Sequence, residues 1–435
     1  MPSTRRSNAN VAFRQLLTKH GRIGGSAAKR GSPKPRIRTG AFGLDLALGG
    51  GFPVGSAVEF WGDPRSGKTT SCHRVAAAFQ RVCRRCLRVA RDVQAVAPED
   101  ENDRWEAVGF CDCVAKGISP MPDPPPRDKN SESAKEYKER CESWSEDFLE
   151  NSYEEVVVLW IDTEDAYDSA WASRLGVDPR RILLITPSTS ENVSDAVKAF
   201  IWSGGVDLTV LDSIAQLTPR KEIEESAEQA HQGLGARVLN RMIRTWISGA
   251  IDVRNANNAA GIPHGLSQLW VNQVRQKIGV SYGDPSVQPY GLGQKFATKV
   301  ELKFKTPEAM TKDVKFSGST AVAYKETVSE KIRMRVDKNN TSPGLRKLET
   351  EYTQVCTDAD GRLPGDLDDS KYIYNLATHH GAIIKLGKTG PYEIVGREED
   401  PVKTQKEVKE LIESDFVVRR AVEDHILSRM ARRGM

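Results

Sequence analysis

The chain has 435 residues, 38% of them hydrophobic and 28% charged, with a formal net charge of +4. That length allows one large α/β core plus one or two smaller modules, and the composition is globular rather than disordered or fibrous. No run approaches the roughly 18 apolar residues of a membrane helix, no apolar signal-peptide core follows Met1, and the seven cysteines are odd in number and unevenly placed, which argues against a disulfide scaffold and for the cytoplasm.

The charge is unevenly spread. Residues 1–38 hold ten Lys or Arg and no Asp or Glu. Such an arm suits phosphates, a subunit interface or an organelle transit peptide, and a solvated tail is the plain alternative. Within it, residues 11–17 (VAFRQLL) have apolar positions at helical spacing, and a Gly/Ser/Lys/Pro linker follows to about residue 35.

A short strand at 57–61 runs straight into GDPRSGKTT, which satisfies G-x-x-x-x-G-K-[ST] between a strand and a helix. Gly62, Asp63, Pro64, Arg65, Ser66, Gly67, Lys68, Thr69 and Thr70 are therefore candidate phosphate-binding residues. The glycines let backbone N–H groups curl round phosphates, Lys68 neutralises the β/γ oxygens, and the Thr69 hydroxyl suits Mg²⁺. ATP and Mg²⁺ are the ligands expected.

Residues 91–153 are polar and contain PMPDPPP; they read as an insertion. Cys83-Arg-Arg-Cys86 precedes it and Cys111-Asp-Cys113 lies inside it. Two close thiol pairs match tetrahedral structural zinc, and reduced thiols in a loop are the competing reading.

A second strand, 156–161, leads into WIDTED, placing Asp162 and Glu164 where a carboxylate can stand beside a γ-phosphate. A helix follows, opened by Ser188-x-x-Glu191 as a capping box and stopped by Gly204-Gly205. The third strand, 208–211, ends at Asp212, suited to the magnesium shell; helix capping is the dull alternative for these acids. An amphipathic helix at 234–251 precedes a fourth strand, 269–271, ending at Asn272. Strands alternating with helices predict a parallel sheet covered on both faces. After about residue 345 the alternation gives way to a small α+β module with KLETEYTQV, the turn GKTGPY and a helix over 404–430.

With these pieces placed, residues 39–355 resemble the RecA family of DNA strand-exchange recombinases, and the C-terminal module does so more faintly. TGAFGLDLALGGGFPVGSAVEFWGDPRSGKTT looks like that family's entry into the phosphate loop. The resemblance implies a RecA-like P-loop ATPase core with a parallel central sheet at 39–345, a basic polymerisation arm at 1–38, and a small α+β domain at 346–435. From IDTEDAYDSAWASRLGVD it implies Glu164 as the residue activating the attacking water, with Asp168 and Trp171 at adenine. VDLTVLDSIAQLTPRKEIE carries Asp212 into a first DNA loop at about 222–233. NQVRQKIGVSYGDP begins the second, with Gln273 sensing the γ-phosphate and Arg275, Lys277, Ile278 and Gly279 at the DNA, Ile278 as an apolar wedge. Arg237 and Arg244 match backbone-contacting arginines.

The partners implied are single-stranded DNA, homologous duplex, further copies in a helical filament, and single-strand-binding and loader proteins; no membrane is involved. Several positions depart from the family. Pro64 replaces a glutamate. Lys338 matches the first of two lysines that reach a neighbour's ATP, but Asn340 stands at the second, beside Asp337. Gln232 replaces an apolar residue, the chain ends RMARRGM without an acidic tail, and the insertion is foreign to the usual bacterial form; a phage-type branch fits best. The competing readings are another RecA-fold motor or switch (a ring helicase or clock-type ATPase) and a weakly catalytic DNA-binding mediator. NQVRQKIGV speaks against the first. Intact Lys68, Thr69, Glu164 and Asp212 speak against the second, which Asn340 keeps open.

Overall fold

The computed structural model describes residues 34–87, 135–136, 156–225, 233–259, 262, 265–276, 286–289, 293–315, 322–357 and 362–433. The arm before residue 34, the insertion apart from 135–136, Gln232, Cys111, Cys113, Lys277, Ile278 and Gly279 lie outside the described residues.

Two short strands, β1 (Arg36–Ile37) and β2 (Phe52–Pro53), pair antiparallel around helix α1 (Phe42–Leu48). The chain then builds β3 (Ala57–Gly62), helix α2 (Lys68–Gln80), β4 (Val158–Asp162), helix α3 (Ser169–Arg174) and β5 (Ile182–Ile185). Helix α4 (Ser190–Ser203), β6 (Leu208–Asp212), helix α5 (Arg220–Glu224), helix α6 (Leu234–Ala259) and β7 (Ser267–Gln273) follow. A short outlying pair, β8 (Arg275–Gln276) with β9 (Ser286–Val287), precedes helix α7 (Gly293–Ala297) and the long hairpin β10 (Val300–Lys315) and β11 (Val322–Asn339), after which β12 spans Glu349–Val355.

Eight strands form one sheet in the order β12-β11-β10-β3-β7-β6-β4-β5. From β10 to β5 every neighbour is parallel; β11 and β12 add antiparallel at one edge. The parallel strands are apolar on both sides because helices cover both faces. Alternation assigns the residues: Val158, Trp160, Val210, Leu269 and Val271 pack toward α2, with Val75, Ala76 and Phe79. Leu159, Ile161, Leu211 and Trp270 face the other way, onto Val197 and Ile201 of α4 and Leu239, Ile243 and Trp246 of α6.

A third apolar cluster belongs to the C-terminal module of α8 (Ser370–His380), the hairpin β13 (Ile383–Lys385) and β14 (Tyr392–Ile394), α9 (Gln405–Ser414) and α10 (Phe416–Arg433). Phe42 and Leu46 of α1 belong to the same cluster, so the module docks on the core through α1. Arg419 pairs with Asp369 at 3.0 Å and Glu423 at 2.9 Å, and Arg38 with Glu423 at 2.8 Å, tying the same junction.

The α/β architecture with a mostly parallel central sheet agrees with the sequence. Four details differ. KLETEYTQV does not belong with the C-terminal module: β12 pairs with β11 from Arg335↔Glu349 to Ser329↔Val355, so a boundary after residue 345 cuts a strand from its own sheet. The helix read over 404–430 is two helices, because the Asp415 carboxylate accepts N–H bonds from Val417 and Val418 and caps a new start. The helix expected over 234–251 runs on to Ala259. The cap before α4 is Thr189, whose hydroxyl accepts from Asn192 N at 3.1 Å. Glu191 does not close a box with Ser188; its carboxylate accepts from Arg220 N at 2.9 Å.

Candidate nucleotide site

The site lies at the C-terminal edge of the parallel strands, where β3 turns into α2. Two glycines make the turn possible. A Cβ on Gly62 would sit 2.1 Å from Phe304 O on neighbouring β10, and one on Gly67 would sit 2.7 Å from Ile332 Cδ1. Gly67 also has φ +84°, a left-handed backbone that favours glycine. The first turn of α2 thus begins at Lys68, with its free N–H groups facing the loop.

Lys68 Nζ donates to Gly62 O at 3.2 Å, to Asp63 O at 2.5 Å and to Ser66 Oγ at 3.3 Å, so the ammonium is folded into its own loop. Burial pulls its pKa below the ordinary lysine value, against the carboxylates of Asp212, Glu164 and Asp63. Thr69 Oγ1 donates to Asp212 Oδ2 at 2.7 Å. Burial pushes the Asp212 carboxyl up to about 6, with the negative charges of Glu164 and Asp162 adding to the rise. The place is short of positive charge and offers hydroxyl and carboxylate oxygens, the donor set of a hard divalent cation. Mg²⁺ therefore fits Thr69 and Asp212.

The two acids after β4 divide their work. Asp162 is buried and accepts from the backbone N–H groups of Glu164, Ala166 and Tyr167, at 3.0, 2.8 and 2.8 Å. It shapes the turn. Glu164 reaches the cavity, where its Oε1 accepts from Gln273 Nε2 at 2.8 Å and Ser213 Oγ at 2.6 Å.

A cavity of about 450 Å³ joins these groups. Pro64 through Thr70, Glu164, Trp171, Asp212 and Gln273 line it, as the sequence anticipates. Its far wall does not follow from the motifs: Glu330 and Ile332 come from β11, Gln354 from β12, and Cys356 from just beyond it. The alternation in KIRMR and EYTQV marks strands, and nothing in the sequence says that they flank the phosphate loop.

Of the expected nucleotide-site residues, Gly62, Asp63, Asp168 and Lys338 stand apart from the cavity lining. Asp168 is exposed, and its carboxylate accepts from Ala170 N and Trp171 N at 2.9 and 3.0 Å, capping the helix that presents Trp171. Lys338 lies toward the other end of the sheet, where its ammonium donates to Lys295 O and approaches Glu301 at 3.6 Å. Arg237 and Arg244 are exposed on α6, and Arg241, which sequence reasoning passed over, is exposed between them. Arg275 is exposed at the start of β8, two residues past Gln273. Among the described residues no group of three or more His, Cys, Asp or Glu stands ready to hold a metal ion. Cys83 is buried and Cys86 half-buried just beyond α2. Among the described residues no helix is long and apolar enough to cross a membrane.

A parallel sheet with a glycine-rich strand-to-helix turn, and with Lys68, Thr69 and Asp212 gathered there, defines a phosphate-loop nucleotide-binding core. The family model for the RecA N-terminal domain matches residues 149–355, and the Rad51 family model matches residues 33–85. The chain is 29% identical over 357 residues to Protein RecA of Thermus aquaticus, covering 82% of this chain and 75% of the relative. It is 27% identical over 355 residues to Protein RecA of Oceanobacillus iheyensis, covering 80% and 74%. For Protein RecA of a Nostoc species the identity is 28% over 313 residues, covering 72% and 61%. By these matches the chain is similar to the RecA family.

Proposed function

We propose that this protein is an ATP-dependent recombinase that forms filaments on single-stranded DNA and exchanges strands with a homologous duplex. The observation that supports it best is the contact between Glu164 and Gln273. It ties the end of β4, where water would be activated, to the end of β7, where the chain leaves the sheet toward the segment expected to meet DNA.

In the hydrolytic step Glu164 takes a proton from water while the water oxygen bonds to the γ-phosphorus. The bond from that phosphorus to the bridging oxygen breaks with its electron pair going to ADP, and inorganic phosphate leaves. Lys68 leaves its loop carbonyls for the β/γ oxygens. Thr69 and Asp212 would hold Mg²⁺, which would supply charge neutralisation at the phosphates. Trp171 offers a flat apolar face for the base. Arg237, Arg244 and Arg275 serve the DNA backbone, and Lys338, away from its own cavity, serves the nucleotide of a neighbouring copy.

Strand exchange between homologous oligonucleotides, with ATP and magnesium, tests the reading. Joint molecules should form with homologous and not with heterologous duplex. Glu164→Gln should still bind ATP and assemble on DNA yet lose most hydrolysis. Closed rings by electron microscopy, with no exchange, would favour a motor instead. Exchange absent while DNA binding persists would favour a mediator.

A further inference from the structure

We propose that Ser213 is a positioning residue for Glu164, holding the carboxylate in line for attack when Gln273 turns away. The proposal rests on the reading of Glu164 as the water-activating base. Glu164 lies beyond the end of β4 on a long, exposed side chain. Left alone it would sample several rotamers, and a misaimed base loses much of its rate advantage.

Two donors restrain it, and both meet the same atom, Oε1. That convergence leaves Oε2 to accept the proton from water. The two donors are not equally fixed. Ser213 is fully buried. Its N–H donates to Thr163 Oγ1 at 2.8 Å, and Thr163 Oγ1 donates back to Ser213 O at 2.8 Å. Thr163 N donates to Asp212 O at 2.8 Å, so the ends of β4 and β6 are latched residue to residue. The Ser213 hydroxyl is therefore aimed by the sheet itself.

Gln273 is the last residue of β7 and is only half-buried. Its amide must leave Glu164 if it is to meet a γ-phosphate. At that moment Glu164 keeps one donor, and the hydrogen bond from Ser213 fixes its direction. The movable donor reports the nucleotide; the fixed one preserves the geometry.

A double-mutant cycle on the full chain separates this from a packing role. Single-stranded-DNA-stimulated ATP hydrolysis would be measured for the parent, Ser213→Ala, Glu164→Gln and the double variant, with single-turnover readings where rates are slow. Ser213→Ala should lower kcat about tenfold or more while the KM for ATP and the thermal midpoint stay near parental values. In the Glu164→Gln background the same substitution should change nothing further, because the base that Ser213 positions is gone. Thr163→Val, which unlatches Ser213 without touching its hydroxyl, should lower kcat in the same Glu164-dependent way and serves if Ser213→Ala folds poorly. A parental kcat for Ser213→Ala, or an equal loss in both backgrounds, overturns the proposal. Parental hydrolysis by Glu164→Gln would instead mean that Glu164 is not the base.

Discussion

Glu59 on β3 and Glu301 on β10 stand opposite each other in parallel register, both buried. Asn272 Nδ2 donates to Glu59 Oε1 at 2.9 Å, while Glu59 Oε2 is buried without a hydrogen-bond partner. Burial pushes the Glu59 carboxyl up to about 8; Glu301 adds to the rise, and Asn272, Lys295 and Lys338 oppose it. The folded chain thus keeps a proton that the unfolded chain releases near the ordinary carboxyl value. Between those limits the folded state binds more protons, so this group's contribution is full at low pH and is lost as pH rises toward 8. Glu59→Gln keeps an acceptor for Asn272 and removes the titration. Thermal denaturation across pH 5 to 8 should show the variant gaining on the parent as pH rises. Parallel curves for the two proteins would mean that Glu59 carries no such proton.

On α6 the exposed arginines Arg237, Arg241 and Arg244 are spaced four and three residues apart, which sets them on one face over about 10 Å. If that face follows a strand's phosphates, Arg241→Ala should weaken single-stranded DNA binding equally for all sequences. It should also reduce the slope of log affinity against log salt by about 0.7. Anisotropy titrations at several salt concentrations measure this, and an unchanged slope would leave Arg241 a solvated side chain. The sequence made α6 legible through its apolar stripe, and the phosphate loop through glycines that local geometry requires. It could not show that β12 closes the sheet beside β11, since EYTQV specifies a strand and not its partner. Nor could it show the break at Asp415, because the helical pattern continues across that residue and only its carboxylate's choice of N–H groups divides α9 from α10. The wall of Glu330, Ile332, Gln354 and Cys356 was hidden for the same reason as β12. Long-range pairing created it, and no local spacing records that.

At the scale of the whole molecule, the ends of β4, β6 and β7 meet at one point, because these strands are near neighbours in the sheet. Glu164, Asp212 and Gln273 therefore share a site although 109 residues separate Glu164 from Gln273. A ligand shifts a conformational equilibrium only by contacting the two states differently. Under the proposed function Gln273 would supply such a difference: its amide donates to Glu164, and a bound γ-phosphate would offer a more strongly charged acceptor. Taking the new partner would move the end of β7, and with it Arg275 and the chain beyond. Gln273→Ala should leave ATP affinity close to parental, since Lys68, Thr69 and Asp212 are untouched. It should abolish the gain in single-stranded DNA affinity that ATP brings, a coupling of about 1–3 kcal/mol in typical allosteric proteins. Fluorescence anisotropy with and without a non-hydrolysable ATP analogue gives the ratio directly. The parent should bind DNA several-fold more tightly with the analogue, and the variant should bind equally with or without it. By reciprocity, DNA should tighten analogue binding in the parent and not in the variant. A variant that keeps the parental ratio in both directions would place the coupling elsewhere and leave the Glu164–Gln273 contact without a part in it.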